Sequence, residues 1–504
     1  MQNNVLDYLN ETVIRKPDKV AFSNGTDSLT FSEVYNQSRA IGSWIHGQGI
    51  YKEPVVVFMD KHPRTVTAFL GVITGGCFYI PVDAEMSAMR IALILQNVNA
   101  RAMICDCNTA KIAAGLEFSG KTILYDDIYK TEADGTALRK IHEEALDTDL
   151  TYVVFTSGST GVPKGVTGCH RSTIDYVEQL SEILWFGEDT VFGNQAPLYF
   201  DACMKEIYPT LKFGATTYLI PKELFLFPIK LVEFLNQQRI NTLCWVVSAL
   251  TMISSFGTFE SIVPEYLRTI AFVGEVFPIK QFKKWQKVLP EADYVNLYGP
   301  TEATGVCCYY RVDREFAEDE VLPIGRPFKN IEIILLNDSN EKVMDGEEGE
   351  ICIRGTCLAH GYFHDLERTK EAFVQNPLNP AYPEIIYRTG DIGRLNENGE
   401  LMFVSRKDFQ IKHMGHRIEL GEIEVYVNAV EGVDIAGCVY EKKKSRIVLF
   451  YVGEILEKDL AALIKKKIPR YMVPNRFCKI DEMPHTPNGK IDRKTLLDQC
   501  CNGL

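Results

Sequence analysis

Several features that would place this chain in a broad functional class are missing from its sequence. Positive charge is in short supply, because 54 Lys and Arg stand against 67 Asp and Glu, a formal net charge of −13. A nucleic-acid-binding protein normally presents a basic surface to phosphates, so we expect no nucleic-acid partner. Long apolar runs are also missing. The longest, residues 68–82, is interrupted by three glycines and is too short to span a bilayer, so we expect no membrane association.

Cysteine is not scarce, but its usual functional patterns are absent. None of the 14 cysteines belongs to a C-x-x-C pair, the spacing typical of zinc sites and redox motifs. The closely spaced pairs lack zinc-ligand spacing and a histidine partner; they are Cys105/Cys107, Cys307/Cys308 and Cys500/Cys501. The first ten residues lack the basic and apolar regions of a secretory signal. We therefore expect reduced thiols and a cytoplasmic protein.

The composition excludes low-complexity and collagen-like chains, since only 22 Pro and 36 Gly occur in 504 residues. With 46% apolar and 24% charged residues, the chain has an ordinary globular composition. Its length is about three times a common domain length of ~150 residues, which predicts two or more domains.

Short β-rich runs alternate with amphipathic stretches in the first part of the chain, which predicts an α/β fold with a helix-covered parallel sheet. The runs are residues 55–58, 78–82, 102–106, 122–126 and 152–156. From about Asn330, close-set strands with turns at 337–340 and 396–399 predict a β-rich, barrel-like subdomain over 330–405. The residues after 408 form a mildly basic unit that is large enough to fold alone.

The strongest motif is TYVVFTSGSTGVPKGV, residues 151–166, in which a buried strand runs into a loop of hydroxyls and glycines. Backbone N–H groups, hydroxyls and the ammonium of Lys164 in one loop are suited to binding phosphates. The pattern is neither a Walker A loop nor a G-x-G-x-x-G fingerprint. A flexible Gly/Ser linker is the alternative, although a linker does not require a lysine so close to a buried strand.

Two further polar clusters interrupt apolar surroundings, NLYGPTE at 296–302 and YRTGD at 387–391. Glu302 offers a hard oxygen ligand suited to Mg²⁺, which keeps waters and phosphate oxygens as its other ligands. Asp391 could accept hydrogen bonds from both hydroxyls of a ribose. Taken singly, each cluster could also be an ordinary turn.

Together these segments resemble, in the right order, the adenylate-forming superfamily of acyl-CoA synthetases, firefly-type luciferases and peptide-synthetase adenylation domains. The resemblance runs from residues 29–34 through 75–83 and 349–362 to 488–493. Residues 199–209 and 405–424 are most similar to amino-acid adenylation domains and D-alanine:carrier-protein ligases. The resemblance implies an N-terminal core at 1–405, a hinge at 406–408 and a small, mobile α+β lid domain at 409–504.

The resemblance also implies roles for individual residues in binding ATP and Mg²⁺. The triphosphate loop would comprise Thr156, Ser157, Gly158, Ser159, Thr160, Gly161 and Lys164. The adenine would be flanked by Gly274, Glu275, Asn296 and Tyr298, and the ribose contacted by Asp391 and Arg406. Thr301 would contact phosphate, Glu302 would bind Mg²⁺, Asp408 would be the hinge residue, and Lys490 would bridge the substrate carboxylate and the α-phosphate. A lysine and Mg²⁺ aimed at the charge that develops on phosphate oxygens would lower the barrier.

Asp201 indicates the substrate class within this superfamily. The resemblance implies that it binds an α-ammonium group, which favours an amino acid over the substrates of acyl- or aryl-CoA ligases. A helix N-cap is the simpler interpretation of this residue. The other positions that match the side-chain pocket are Lys205, Cys244, Ala271, Val273, Leu297, Gly305 and Val306.

Lys205 is the only charged residue among these pocket positions. It lies four residues after Asp201, so an i,i+4 pair or a solvated side chain is possible. A buried lysine without an anionic partner would be costly, and this favours an acidic amino acid, with alanine second. D-alanine ligases have an apolar residue here and a cysteine within the segment that reads FVGEVF, so two positions depart from that assignment.

The resemblance further implies transfer to the phosphopantetheine thiol of a carrier protein. The only G-x-D-S string, residues 25–28, has no helical bundle around it, so we expect the carrier to be a separate protein. A catalytically silent scaffold would have lost Lys490, Glu302 or the glycine-rich loop, and all three are present.

Overall fold

The computed structural model describes residues 2–158, 162–407, 410–485 and 491–501, except for the side chains of Lys443 and Cys501. The chain divides into two compact units. The large unit comprises Met1–Asp83, Val98–Val154 and Gly165–Ser405, and the small unit comprises Ala84–Asn97, Phe155–Lys164 and Arg406–Leu504. The hinge assigned to residues 406–408 stays a prediction, because Asp408 lies outside the described residues.

A six-stranded sheet contains the β-rich runs that the sequence predicts in the first third of the chain. Its strands, in spatial order, are Lys121–Leu124, Ala102–Cys105, Pro54–Phe58, Phe78–Val82, Leu150–Thr156 and Lys164–Cys169. The first five are joined by parallel pairs. Parallel strands that are buried on both faces have apolar residues at successive positions. The sequence pattern could therefore locate these strands.

A nine-stranded sheet forms the second layer of the large unit. Its spatial order is Arg326–Pro327, Cys308–Arg311, Asp293–Tyr298, Thr269–Val273, Thr242–Val246, Val191–Asn194, Thr216–Leu219, Val20–Ser23 and Ser28–Thr30. The six strands from Asp293–Tyr298 to Val20–Ser23 are parallel, and antiparallel strands flank them on both sides.

Helices of the large unit cover these sheets. They are Leu6–Arg15, Phe31–Gly47, Pro63–Thr74, Thr109–Ala113, Tyr125–Ile128, Gly135–Glu144, His170–Leu184, Met204–Phe213, Pro228–Gln237, Val247–Ser255, Ile279–Val288 and Leu366–Ala372. Phe31–Gly47 shows how the sequence sets a boundary: Thr30 accepts a hydrogen bond from the N–H of Glu33, whose carboxylate accepts one from the Thr30 N–H. This reciprocal capping satisfies two N–H groups that the helix itself leaves unpaired.

A five-stranded sheet forms the β-rich subdomain. Its strands are Ile331–Leu336, Gly349–Gly355, Ile385–Leu395, Phe373–Gln375 and Leu401–Arg406. The two turns expected from the sequence are present, since Asn340 N–H donates to Asn337 O at 3.0 Å and Gly399 N–H to Asn396 O at 2.9 Å. Asn340 and Gly399 have positive φ, as such turns require.

The small unit is α+β. It contains a hairpin, Gln410–His413 with His416–Glu419, and a three-stranded sheet of Val433–Glu441, Arg446–Gly453 and Arg476–Lys479. Its helices are Ala88–Val98, whose last residue belongs to the large unit, Leu420–Asn428, Glu457–Lys467 and Arg493–Cys501. These elements and those of the large unit confirm the predicted fold class. None of the helices in the described part of the chain is both long and apolar enough to cross a membrane.

Candidate active site

Four of the predicted pocket residues lie on three neighbouring parallel strands of the nine-stranded sheet. Cys244 is the register partner of Ala271, and Val273 is the partner of Leu297. Register partners on parallel strands share a face of the sheet, and all four side chains belong to one hydrophobic cluster with Val306. The alternate residues of these strands pack into a second cluster on the opposite face.

The polar residues follow where these strands end. Gly274 and Glu275 come directly after Thr269–Val273, and Thr301 and Glu302 come three and four residues after Asp293–Tyr298. The carboxyl edge of a parallel sheet is where ligands bind in open α/β folds. The structure therefore brings the sequence-predicted pocket and polar residues of this unit to one edge.

Asp201 begins a short 3₁₀ helix, Asp201–Cys203, that leads into helix Met204–Phe213. The helix is not capped by the Asp201 side chain, because its N-cap is Cys203. Thr301 instead lies close enough to the carboxylate to act on its pKa. Burial raises the pKa of Asp201, while Thr301 and the charge of Lys205 lower it.

Gly305 leaves space beside the Asp201 carboxylate. Its φ is +85°, and a Cβ at this position would lie 3.3 Å from Oδ2 of Asp201. A side chain here would therefore intrude on the carboxylate and strain the backbone. Asp201 is thus an acidic group that lies near Thr301 and is kept open on the glycine side.

Lys205 is only 2% exposed, and it makes no hydrogen bond or ion pair with any residue that the structure describes. The expected i,i+4 ion pair with Asp201 is therefore not formed, and the solvated alternative is excluded by burial. Asp201 and Glu206 are nevertheless near enough for the charge of Lys205 to lower the pKa of both carboxyls.

Glu206 is a buried acid that sequence reasoning missed. It is 1% exposed; Oε2 accepts a hydrogen bond from Asn194 at 3.2 Å, and Oε1 has no partner among the described residues. Burial raises its pKa to about 7. Lys61, which donates to the carbonyls of Asn194 and Gln195 at 3.0 and 3.1 Å, lies nearby with a pKa that burial lowers to about 7.

This arrangement corrects the premise that no anion accompanies Lys205. Glu206 follows Lys205 directly in the chain, but charged residues usually lie at the surface, so its burial was not expected. Lys205 and Glu206 are buried, and the partly buried Lys61 and Asp201 lie near them. The negative charge of Glu206 therefore partly compensates the positive charge of Lys205. An anionic substrate is still favoured, but less strongly than the sequence indicates.

Glu302 is fully buried, and its Oε1 accepts a hydrogen bond from the Tyr362 hydroxyl at 2.8 Å. It lies in the 3₁₀ turn Thr301–Ala303, so the carboxylate is fixed by a side chain 60 residues further along rather than by capping its own turn. No group of three or more His, Cys, Asp or Glu that could hold a metal occurs within the described ranges. A single carboxylate fits Mg²⁺, which takes most of its other ligands from phosphates and water.

The residues assigned to the nucleoside are also near the ends of the strands. Asn296 donates to the Pro323 carbonyl at 2.7 Å, and Glu275 Oε2 accepts from the Ser248 N–H at 2.9 Å. Gly274 has φ +99°, and a Cβ there would meet only Val246, at 4.0 Å. The backbone conformation, rather than crowding, requires glycine, and the surface beside it is open for a flat ring.

Tyr298 and Asp391 connect two sheets of the large unit. The Tyr298 hydroxyl donates to Oδ2 of Asp391 at 2.5 Å, and Asp391 is 4% exposed. Burial, then the Asp391 charge, raises the pKa of Tyr298, so the hydroxyl remains a donor. The bond orients the carboxylate that the sequence assigns to the ribose.

The remaining described candidates belong to the small unit. Thr156 Oγ1 is buried and has no hydrogen-bond partner among the described residues, so a phosphate oxygen would satisfy it. Ser157 Oγ donates to the Arg417 carbonyl at 2.7 Å. Lys164 begins a strand and Arg406 ends one. Ser159, Thr160, Gly161, Asp408 and Lys490 lie outside the described residues.

Each unit by itself has groups that fit a part of ATP. The large unit has the Glu302 carboxylate for Mg²⁺ and an open surface beside Gly274 for the base. The small unit has the unpartnered Thr156 hydroxyl for a phosphate oxygen. Comparison with known proteins agrees. A family model for AMP-binding enzymes matches residues 9–363, and a model for the C-terminal domain of AMP-binding enzymes matches residues 422–490. The chain belongs to the AMP-binding enzyme family. It is an adenylate-forming, AMP-forming ligase.

Individual relatives agree with this membership. A D-alanine–D-alanyl carrier protein ligase of Bacillus licheniformis is 33% identical over 502 residues, which cover 96% of this chain and 97% of the relative. Tyrocidine synthase 1 of Brevibacillus parabrevis is 30% identical over 95% of this chain, but this chain spans only 43% of that protein. This enzyme therefore matches the carrier-protein ligases over nearly their full length and the peptide synthetases over one part.

Solved structures share the fold. The adenylation domain AlmE of Vibrio cholerae, solved with glycyl-adenosine-5′-phosphate, superposes with a TM-score of 0.83 at 22% identity and covers all of this chain and 98% of its own. The amide bond synthetase McbA of Marinactinospora thermotolerans has a TM-score of 0.84 at 19% identity, with 98% and 99% covered. Both similarities show a shared fold only.

Proposed function

We propose that this enzyme activates an amino acid as its aminoacyl-adenylate, releases pyrophosphate, and transfers the aminoacyl group to the phosphopantetheine thiol of a separate carrier protein. The observation that carries the proposal is the placement of Asp201. Its carboxylate lies near Thr301, is open beside Gly305 and is not used as a helix cap. Such a carboxylate is suited to binding an α-ammonium group.

In the first half-reaction, a substrate carboxylate oxygen forms a bond to the α-phosphorus while the bond to the pyrophosphate oxygen breaks. Asp201 would hold the ammonium and so orient the carboxylate. Lys490 would stabilise the charge that develops on the oxygens around the phosphorus. Glu302 would hold Mg²⁺, which when bound neutralises phosphate charge. In the second half-reaction, the thiol sulfur bonds to the acyl carbon and AMP leaves.

The pocket wall supports an amino acid with a side-chain carboxylate, which would accept a hydrogen bond from Lys205. In favour of this is the lack of any described hydrogen-bond partner for that buried ammonium. Glu206 is the opposing observation, because it supplies negative charge to the same region. Alanine remains the second candidate, and the full-length match to a D-alanine–D-alanyl carrier protein ligase favours it.

The carrier is proposed to be a separate protein. Ser28, the only serine in a G-x-D-S context, lies in strand Ser28–Thr30 and bonds to Ser23 Oγ at 2.9 Å, an environment unlike a helical carrier domain. The free cysteines of the described residues and the requirement for ATP accord with the cytoplasm as the proposed compartment.

The test is pyrophosphate exchange into ATP across D- and L-amino acids, with the Asp201→Asn variant as the matched control. We expect exchange with at least one amino acid and its loss in the variant. Exchange only with acids that lack an α-amino group, together with AMP release that requires coenzyme A, would instead identify an acyl- or aryl-CoA ligase.

A further inference from the structure

The large unit contains a cavity whose lining shares no residue with the candidate active site. It has a volume of about 320 Å³, within the size range of small-molecule sites. Its walls come from helices Leu6–Arg15, Phe31–Gly47, Pro63–Thr74 and Gly135–Glu144, and none of its lining residues is among the candidates for the proposed reaction. We refer to it as the helix-bounded cavity.

The lining of the helix-bounded cavity includes none of the predicted pocket residues and none of the polar residues at the carboxyl edge of the nine-stranded sheet. Within the large unit, its residues are therefore distinct from those of the candidate active site.

The charges that line the cavity are positive on balance, opposite to the net charge of the whole chain. Arg39 and Arg139 both line it, and neither has a carboxylate within 4.0 Å among the residues described. The other charged pairs are matched: Lys52 with Asp149 at 2.8 Å, and His142 with Asp7 at 2.9 Å. Two guanidinium groups thus face the cavity in a protein of net charge −13, so the cavity attracts anions.

His170 supplies a further donor. It is 3% exposed, and its Nδ1 accepts the Val5 N–H at 3.1 Å. The neutral ring must then carry its proton on Nε2, and Nε2 makes no hydrogen bond with the described part of the chain. His170 lines the cavity, so its Nε2–H is a donor that a ligand or water in the cavity can use.

The remaining wall is mixed and contains an apolar part. Leu9, Ile73, Leu138 and Ile141 are all buried and line the cavity. Arg39 lies at one end, with its Nη2 only 3.2 Å from the place that a Cβ at Gly135 would occupy. Polar donors combined with an apolar wall are the usual composition of a small-molecule site.

We propose that the helix-bounded cavity binds a small organic anion, in which a carboxylate or phosphate headgroup contacts Arg39 and Arg139 and an apolar body packs on the leucine and isoleucine wall. The proposal does not depend on the amino acid that the enzyme activates, and it assigns a binding site outside the proposed reaction.

Isothermal titration calorimetry of the full chain with octanoate, hexyl phosphate and octanol tests the proposal. We expect saturable binding of one or both anions at one site per chain, and binding at least tenfold weaker for octanol. Octanoate and hexyl phosphate distinguish a carboxylate from a phosphate headgroup. Failure of both anions to bind, or equal binding of octanol, would overturn the proposal.

Arg39→Gln and Arg139→Gln should each weaken anion binding about tenfold or more, as expected for loss of a charge-assisted hydrogen bond. Arg239→Gln is the matched control. Arg239 lies over the Tyr266 ring at 5.7 Å, as Arg39 lies over Tyr35 at 5.3 Å, but it does not line the cavity. Equal losses in all three variants would contradict the site.

Saturating MgATP provides the last control. It should leave octanoate affinity unchanged, because the cavity is separate from the nucleotide site. Displacement of octanoate by MgATP would place the anion in the active site instead and would overturn the assignment. Pyrophosphate exchange by Arg39→Gln should equal that of the wild type, which keeps this test independent of the proposed function.

Discussion

Gly305 lies against Asp201 such that a Cβ at residue 305 would be 3.3 Å from Oδ2 of the carboxylate. Together with a φ of +85°, this contact predicts that Gly305→Ala strains the backbone by about 1–2 kcal/mol and crowds the substrate ammonium. We expect kcat/KM for the amino acid to fall about tenfold with KM for ATP unchanged. Gly47→Ala, with no atom within 4 Å of the new Cβ, is the control and should leave both constants unchanged.

Asp201→Ala should lower kcat/KM for the amino acid by roughly 10- to 150-fold, because a charge-assisted hydrogen bond contributes about 1.5–3 kcal/mol. Steady-state kinetics with each substrate varied in turn will show whether the loss is confined to the amino acid. A purely structural Asp201 would give a different result, with lower thermal stability and weaker binding of ATP and amino acid together.

Lys205→Met should lower kcat/KM for an acidic amino acid by about 10- to 150-fold and leave that for alanine nearly unchanged. Lys212→Met is a matched control on the same helix, because Lys212 is paired with Glu178 at 2.6 Å. If alanine is the better substrate and its exchange survives Lys205→Met, the preference for an acidic amino acid is wrong.

Glu206→Gln should change how stability depends on pH. The exposed group has a pKa of 4.5 and burial raises that of Glu206 to about 7, so the folded protein binds the proton more tightly than the unfolded chain. The free energy of unfolding of the wild type should therefore fall relative to the variant as pH rises from about 4.5 to 7, by up to about 1.4 kcal/mol per pH unit. Denaturant unfolding of both proteins at pH 5, 6 and 7 measures this difference. If the free energies of unfolding of wild type and variant change in parallel with pH, Glu206 does not titrate in this range.

Lys490→Ala should reduce adenylation by about 10²–10³, the usual loss when one donor aimed at a transition state is removed. Transfer from preformed adenylate should suffer much less. Asp408→Pro should show the complementary pattern, because proline restricts the backbone at the proposed hinge. Single-turnover assays of each half-reaction give the comparison, and equal losses from Lys490→Ala in both would indicate a structural role.

Local pattern predicted the α/β class and individual elements because these depend on neighbouring residues. The run at 78–82 is a strand with the same bounds, and the Asn337 and Asn396 turns form as their residue types require. The run at 122–126 was less accurate, since Tyr125 begins a helix. Strand ends depend on tertiary contacts, which the local pattern does not contain.

Contacts between distant residues account for what the sequence did not reveal about the candidate site. Tyr362 bonds to Glu302, and Lys61 joins Glu206 through Asn194. Nothing in the spacing of these residues indicates that they meet. Lys205 was identified as unusual, yet its burial beside Glu206 could be known only once the helix was packed on the sheet.

The register of Val273 with Leu297 has a consequence for how selectivity in this enzyme can change. Both side chains belong to the same hydrophobic cluster that supports the sheet, so the groups that would select a substrate also hold the scaffold together. Shortening one core side chain costs about 1–5 kcal/mol, a large share of the 5–15 kcal/mol that typically separates folded from unfolded proteins. A larger substrate needs more room between these side chains. We therefore expect it to be accommodated more easily by compensating exchanges on both strands, which conserve the total side-chain volume, than by one substitution that only enlarges the pocket.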